Sequence, residues 1–118
     1  MVRAVRGATT VENNSTDEII CNTKELLEKM FSENSVEHND LISIIFTATD
    51  DIDACFPAKA ARELGYTDVP LMCMREINVK NSLKKCIRVM INYNSDKTLS
   101  QIKHIYLNDA KVLRTDLN

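Results

Sequence analysis

Three stretches of this chain, "LISIIFTAT" (residues 41–49), "VPLMCM" (residues 69–74) and "CIRVMINY" (residues 86–93), carry apolar side chains at both parities of a strand. Side chains alternate across a strand, so runs of this kind belong to a sheet covered on both faces. The rest of the chain offers little to cover it with. One long amphipathic helix and one short helix are legible, enough for a single layer on one face. A second copy of the chain is the simplest supply of the missing layer. The pattern therefore predicts an α+β fold, a mixed β-sheet with one long and one or two short helices, that self-associates.

Around this frame the local signals are mostly clear. "VRAVRG" (residues 2–7) suits a first strand, stopped by Gly7 and the "ATT" after it. "STDE" (residues 15–18) is a capping box, in which Ser15 accepts from the Glu18 amide while Glu18 reaches back. Ile19, Thr23, Leu26, Leu27, Met30 and Phe31 then recur at helical spacing to about Asn34. "FPAKAAREL" (residues 56–64) reads as a short helix, with Pro57 in its first turn and Gly65 as its stop. Pro70 places the strand after it on an edge, or itself at that strand's start. "NSLKK" and "SDKTLSQIK" suit single turns, and "HIYL" and "AKVL" read as two short final strands. Residues 1–118 are expected to form one domain, a length that buries roughly two-thirds of its unfolded surface.

Several function classes fall away on composition. The formal net charge of −2, with no basic run beyond Lys84–Lys85, disfavours nucleic acid as a partner. No apolar run approaches the roughly 18 residues of a membrane helix, and arginines interrupt "MVRAVRGATT" where a signal peptide needs continuity. A cytoplasmic location is the expectation. Cys21, Cys55, Cys73 and Cys86 form no CxxC pair, and His38 and His104 are the only histidines. Reduced thiols without a metal site are expected.

The residue that asks for a function is Arg88. It shares a strand face with Cys86 and Met90, opposite Ile87, Val89 and Ile91. An unpaired buried charge costs several kcal/mol or more, so an anion must lie near it. Glu76, just after the strand that carries Cys73, is one candidate, and a bound anion is the other. Arg6 closes the Val2–Ala4–Arg6 face of the first strand, and Lys59, Arg62 and Arg114 could join the same region. Such a cationic surplus suits a dicarboxylate, because guanidinium forks bind carboxylates bidentately. Nothing here supports a Ser–His–Asp triad, and GxGxxG, GxxxxGK[ST] and HExxH are absent. Fixed cations with one carboxylate fit a reaction that develops negative charge without proton transfer.

"RGATTVE" (residues 6–12), "FPAKAARELG" (residues 56–65), "VPLMCMREI" (residues 69–77), "LKKCIRVM" (residues 83–90) and "HIYLNDAKVLR" (residues 104–114) together resemble, in order, the monofunctional chorismate mutases of the trimeric α/β kind. The resemblance implies a homotrimeric pseudo-α/β-barrel with active sites between subunits. It implies rearrangement of the dianion chorismate to prephenate, in the biosynthesis of phenylalanine and tyrosine, with no cofactor and no metal. On this resemblance Arg88 donates to the breaking ether oxygen and Arg6 grips a carboxylate. Glu76 and Cys73 hold the ring hydroxyl, and Tyr106 contacts the side-chain carboxylate. Phe56, Ala58, Lys59 and Arg62 of a neighbouring subunit wall the cleft. Met72 stands on its rim, where a smaller or hydroxylated residue is frequent, and Leu113 and Arg114 belong to a closing C-terminal part. The same arginines would also serve a trimeric module that binds carboxylate metabolites, or an enamine or imine deaminase on a similar fold.

Overall fold

The computed structural model describes residues 1–117, with side chains described through Leu113. Five strands form one sheet: β1 (Val2–Thr10), β2 (Leu41–Ala48), β3 (Leu71–Arg75), β4 (Cys86–Asn94) and β5 (Ile105–Tyr106). Their order is β3-β2-β4-β1-β5. β4 runs antiparallel to both β1 and β2, while β3 is parallel to β2 and β5 to β1. Pro70 stands immediately before the edge strand β3, where its missing N–H costs the ladder nothing.

Two helices lie on one face, α1 (Thr16–Glu33) and α2 (Ala58–Glu63). Ser15 caps α1 by accepting from the Glu18 N–H at 3.3 Å. The Glu18 carboxylate does not return to the cap itself. It reaches one turn further out, accepting the Glu12 N–H at 2.5 Å and the Asn13 N–H at 3.2 Å. Ile19, Leu26, Leu27 and Met30 pack onto Val5, Ile44, Phe46, Ile87, Val89 and Ile91 to form the core. Gly65, at φ +100°, closes α2 as its sequence position implies.

Two further local expectations are corrected. Gly7 does not stop β1, which continues through the "ATT" to Thr10. Its backbone lies directly beneath α1, and a Cβ there would sit 2.5 Å from Met30 Sδ. Close approach of helix and strand, not a turn, is what this glycine permits. "AKVL" is likewise no strand. It belongs to a 3₁₀ helix, Asn108–Leu117, that follows β5. Asn108 turns the chain at φ +55° and donates from Nδ2 to Thr9 Oγ1 at 2.9 Å, while the Asp109 N–H donates to Thr10 Oγ1 at 3.1 Å. Those anchors fold the tail across the end of β1. There Ala110 packs with Ala8, Cys86 and Tyr106, and Leu83 and Leu113 lie against them.

Apart from the end where the 3₁₀ helix packs on Ala8, the described residues place no α-helix on the sheet's second face. Val2, Met72, Met74 and Met90 are exposed there, all at the parity opposite the core. The uncovered apolar face read from the sequence is thus present in the single chain.

Candidate active site

The strand register fixes the site. Arg88 on β4 lies between Ala8 of β1 and Thr47 of β2, and Arg6 lies opposite Met90 two positions along. All of these point away from the helices. Glu76 follows β3, and its N–H continues the pairing with β2 by donating to the Ala48 carbonyl at 2.9 Å. Tyr106 arrives from β5, whose partner is again Ala8. Arg6, Ala8, Thr47, Glu76, Arg88 and Tyr106 thereby line one hollow of about 270 Å³.

Its electrostatics are unbalanced. Arg88 Nε stands 3.5 Å from Glu76 Oε2, close enough for an ion pair but outside hydrogen-bond geometry. The Nε is shut off from solvent and has no hydrogen-bond acceptor among the described residues. Glu76 Oε2 instead accepts a 2.5 Å hydrogen bond from Thr47 Oγ1. Arg6 makes no ion pair among the described residues. Two guanidiniums therefore face one carboxylate. The Tyr106 hydroxyl is buried at the same hollow and also lacks a partner among the described residues. Buried polar atoms are nearly always satisfied, so both atoms are open to a further partner.

A second group of expected residues gathers elsewhere. Phe56, Lys59, Arg62 and Cys73 line another hollow of about 550 Å³, beside Cys55, Met74 and Arg75. Phe56 is 69% exposed, unusual for so large an apolar side chain. Cys73 pairs with Phe46, on the helix side of β3, while Glu76 lies with the opposite face. Within one chain the structure does not bring Cys73 and Glu76 together. Burial pushes the Cys73 thiol above its ordinary value, opposed by the Ala58 backbone and the Arg62 guanidinium. Ala58 is buried in the core, Met72 lies exposed on the uncovered sheet face, and neither lines either hollow. Leu113 rests on the Ala8–Cys86–Tyr106–Ala110 cluster. The Arg114 side chain lies outside the described residues.

Thr47 escaped the sequence reading, because a threonine inside "IIFTAT" is an ordinary strand former. Only the register, which sets it beside Arg88, shows what its hydroxyl does. Among the described residues no helix is long and apolar enough to cross a membrane, and no cluster of His, Cys, Asp or Glu could hold a metal ion.

Fold and site together define an α+β chain whose open sheet face gathers two guanidiniums around one carboxylate. The family model for chorismate mutase type I matches residues 2–117. The chain is 49% identical over 119 residues to the chorismate mutase AroH of Bacillus subtilis, covering 100% of this chain and 94% of that one. It is 43% identical over 118 residues to the chorismate mutase AroH of Thermus thermophilus, covering 99% and 97%. A solved chorismate mutase from Clostridium thermocellum superposes with a TM-score of 0.91 at 57% identity, over 93% of this chain and 98% of that one. The chain belongs to the chorismate mutase type I family.

Proposed function

We infer that the protein is an enzyme, a chorismate mutase, that rearranges chorismate to prephenate in aromatic amino acid biosynthesis. The observation that carries this reading, beside family membership, is the hollow in which, among the described residues, Arg6 and Arg88 oppose Glu76 alone and the Tyr106 hydroxyl has no partner. A dianionic substrate supplies the missing charge and the missing acceptors.

The reaction breaks a C–O bond as a C–C bond forms, within one flexible molecule. Fixed cations that hold both carboxylates select the compact conformer, removing part of the entropic barrier. As the C–O bond lengthens the ether oxygen gains negative charge. A guanidinium already placed beside it binds the transition state more tightly than the ground state. Arg88 takes that role and Arg6 grips a carboxylate. Tyr106 donates to the side-chain carboxylate, and the carboxylate of Glu76 accepts from the ring hydroxyl. No residue has to move a proton.

One chain holds only half of this site. The open hollow at Arg88 and the apolar face beside it favour a homotrimer, a pseudo-α/β-barrel in which residues 1–118 act as one domain. Phe56, Lys59 and Arg62 of the partner subunit then wall the cleft and add positive charge. Cys73 belongs with that partner set, since it lines their hollow. Met72, on the open face, belongs to the rim, Ala58 backs the cleft wall from within the core, and Leu113 and Arg114 close over the top. The enzyme works in the cytoplasm without metal or cofactor.

The assay is loss of chorismate absorbance with recovery of prephenate. The mutase reading predicts turnover with kcat nearly flat around neutral pH. A deaminase would show a pH-dependent rate on an imine or enamine and none on chorismate, and a metabolite-binding module would bind without turnover.

A further inference from the structure

We propose that Thr47 is a positioning residue for the rearrangement, holding the Glu76 carboxylate apart from Arg88 so that both remain free to meet the substrate. The inference rests on the mutase reading above and extends it to a residue outside the charged set. Glu76 and Arg88 face each other across one strand, and a carboxylate and a guanidinium in that relation ordinarily close into a bidentate fork. They have not closed. The Nε–Oε2 separation is 3.5 Å, and Nε lacks an acceptor among the described residues. The oxygen that would have accepted it is held at 2.5 Å by Thr47 Oγ1.

The geometry of that restraint is set by the fold. Thr47 is the β2 residue directly paired with Arg88, so its side chain stands next to the guanidinium on the same face. A β-branched side chain on a strand has few χ1 choices, which keeps the hydroxyl in place. Glu76 is tethered at its other end by the N–H donated to the Ala48 carbonyl at 2.9 Å. Main chain and carboxylate are therefore both anchored to consecutive residues of β2. With Oε2 engaged, Oε1 is the oxygen left for a substrate hydroxyl, and the Arg88 donors are left for the ether oxygen. Without Thr47 the carboxylate is expected to swing onto Arg88 and neutralise the charge on which the reaction depends.

The test is Thr47→Val, which keeps shape and strand preference but removes the hydroxyl, beside Thr47→Ser, which retains it. Loss of a hydrogen bond to a charged group corresponds to about a tenfold to hundredfold effect, so kcat/KM of Thr47→Val should fall by that factor, mostly in kcat. Thr47→Ser should stay within about threefold of the parent. In a Glu76→Ala background Thr47→Val should add nothing, because a residue acting through another has no effect once that other is gone. A crystal structure of ligand-free Thr47→Val reads the same inference without turnover, and there Glu76 should form a bidentate pair with Arg88. Parent-like kcat/KM in Thr47→Val, an undiminished loss in the Glu76→Ala background, or a Glu76–Arg88 separation that stays near 3.5 Å would each overturn it. Failure of the parent protein to make prephenate would refute the mutase reading instead, leaving the structural arm to decide the role of Thr47.

Discussion

Replacing Arg88 with alanine should separate the two things this residue does. Its contribution to the fold is small. At 3.5 Å the Glu76 pair would be worth about 5 kcal/mol at an effective dielectric of 20, but the Arg88 side chain is 37% exposed, and solvent screening brings such pairs to about 1 kcal/mol or less. No core contact is lost, because Arg88 faces away from the helices. Under the mechanism proposed above, its contribution to the reaction is expected to be larger. About half a unit of charge gathering on an oxygen roughly 3 Å from a guanidinium is worth on the order of 3 kcal/mol at the same dielectric. That matches the cost of deleting an oxyanion donor, so kcat should fall on the order of a hundred- to a thousandfold. Arg88→Lys should recover only part, since an ammonium keeps the charge but not the planar fork. The assay pairs chorismate turnover with thermal unfolding and sedimentation. An Arg88→Ala protein that assembles like the parent and keeps kcat within about threefold would refute the electrostatic account.

Other consequences test the assembly and the packing. If the two hollows meet between subunits, inactive Arg88→Ala and Arg62→Ala chains should regain activity when unfolded and refolded together, because some mixed interfaces carry both parent residues; no regain would place the site within one chain. Gly7→Ala should lower stability by about 1–3 kcal/mol, read as a shift in urea midpoint, because the new methyl must displace Met30 Sδ from 2.5 Å. An unchanged midpoint would show that α1 rides further from β1 than described. Burial chiefly raises the Cys86 thiol, against the opposing Arg88 charge. A raised folded value contributes stability that is complete below the unfolded thiol's 9.0 and is lost as pH rises through the folded value. Cys86→Ala should therefore flatten the alkaline fall in melting temperature above about pH 9, and an equally steep fall in the variant would contradict this.

What the sequence disclosed followed local chemistry. The cap at Ser15, the helical stripe from Ile19 to Phe31, the stop at Gly65 and the strand around Arg88 each rest on short-range rules, and each is present. The uncovered face was legible because two-sided apolar strands outnumbered the helices available to cover them. The misreadings arose where a distant element decided the outcome. Gly7 looked like a stop because the helix passing over it is invisible in "VRG". "AKVL" alternates like a strand, but Asn108 and Asp109 bind Thr9 and Thr10, about a hundred residues earlier, and wind it into 3₁₀ turns. The site divides the same way. Arg6, Glu76, Arg88 and Tyr106 meet because sheet order sets β3, β2, β4, β1 and β5 side by side, and Cys73 parts from Glu76 because of strand parity. Thr47 needed the register itself.

The most direct measurement is a crystal structure with a bicyclic dicarboxylate that mimics the folded, rearranging geometry. Arg88 should point at the ether oxygen, with Arg6 and Tyr106 on its carboxylates and Lys59 or Arg62 of the partner subunit closing the cleft. The same crystals with that hollow empty, and every Arg88 donor answered by protein carboxylates, would contradict the account.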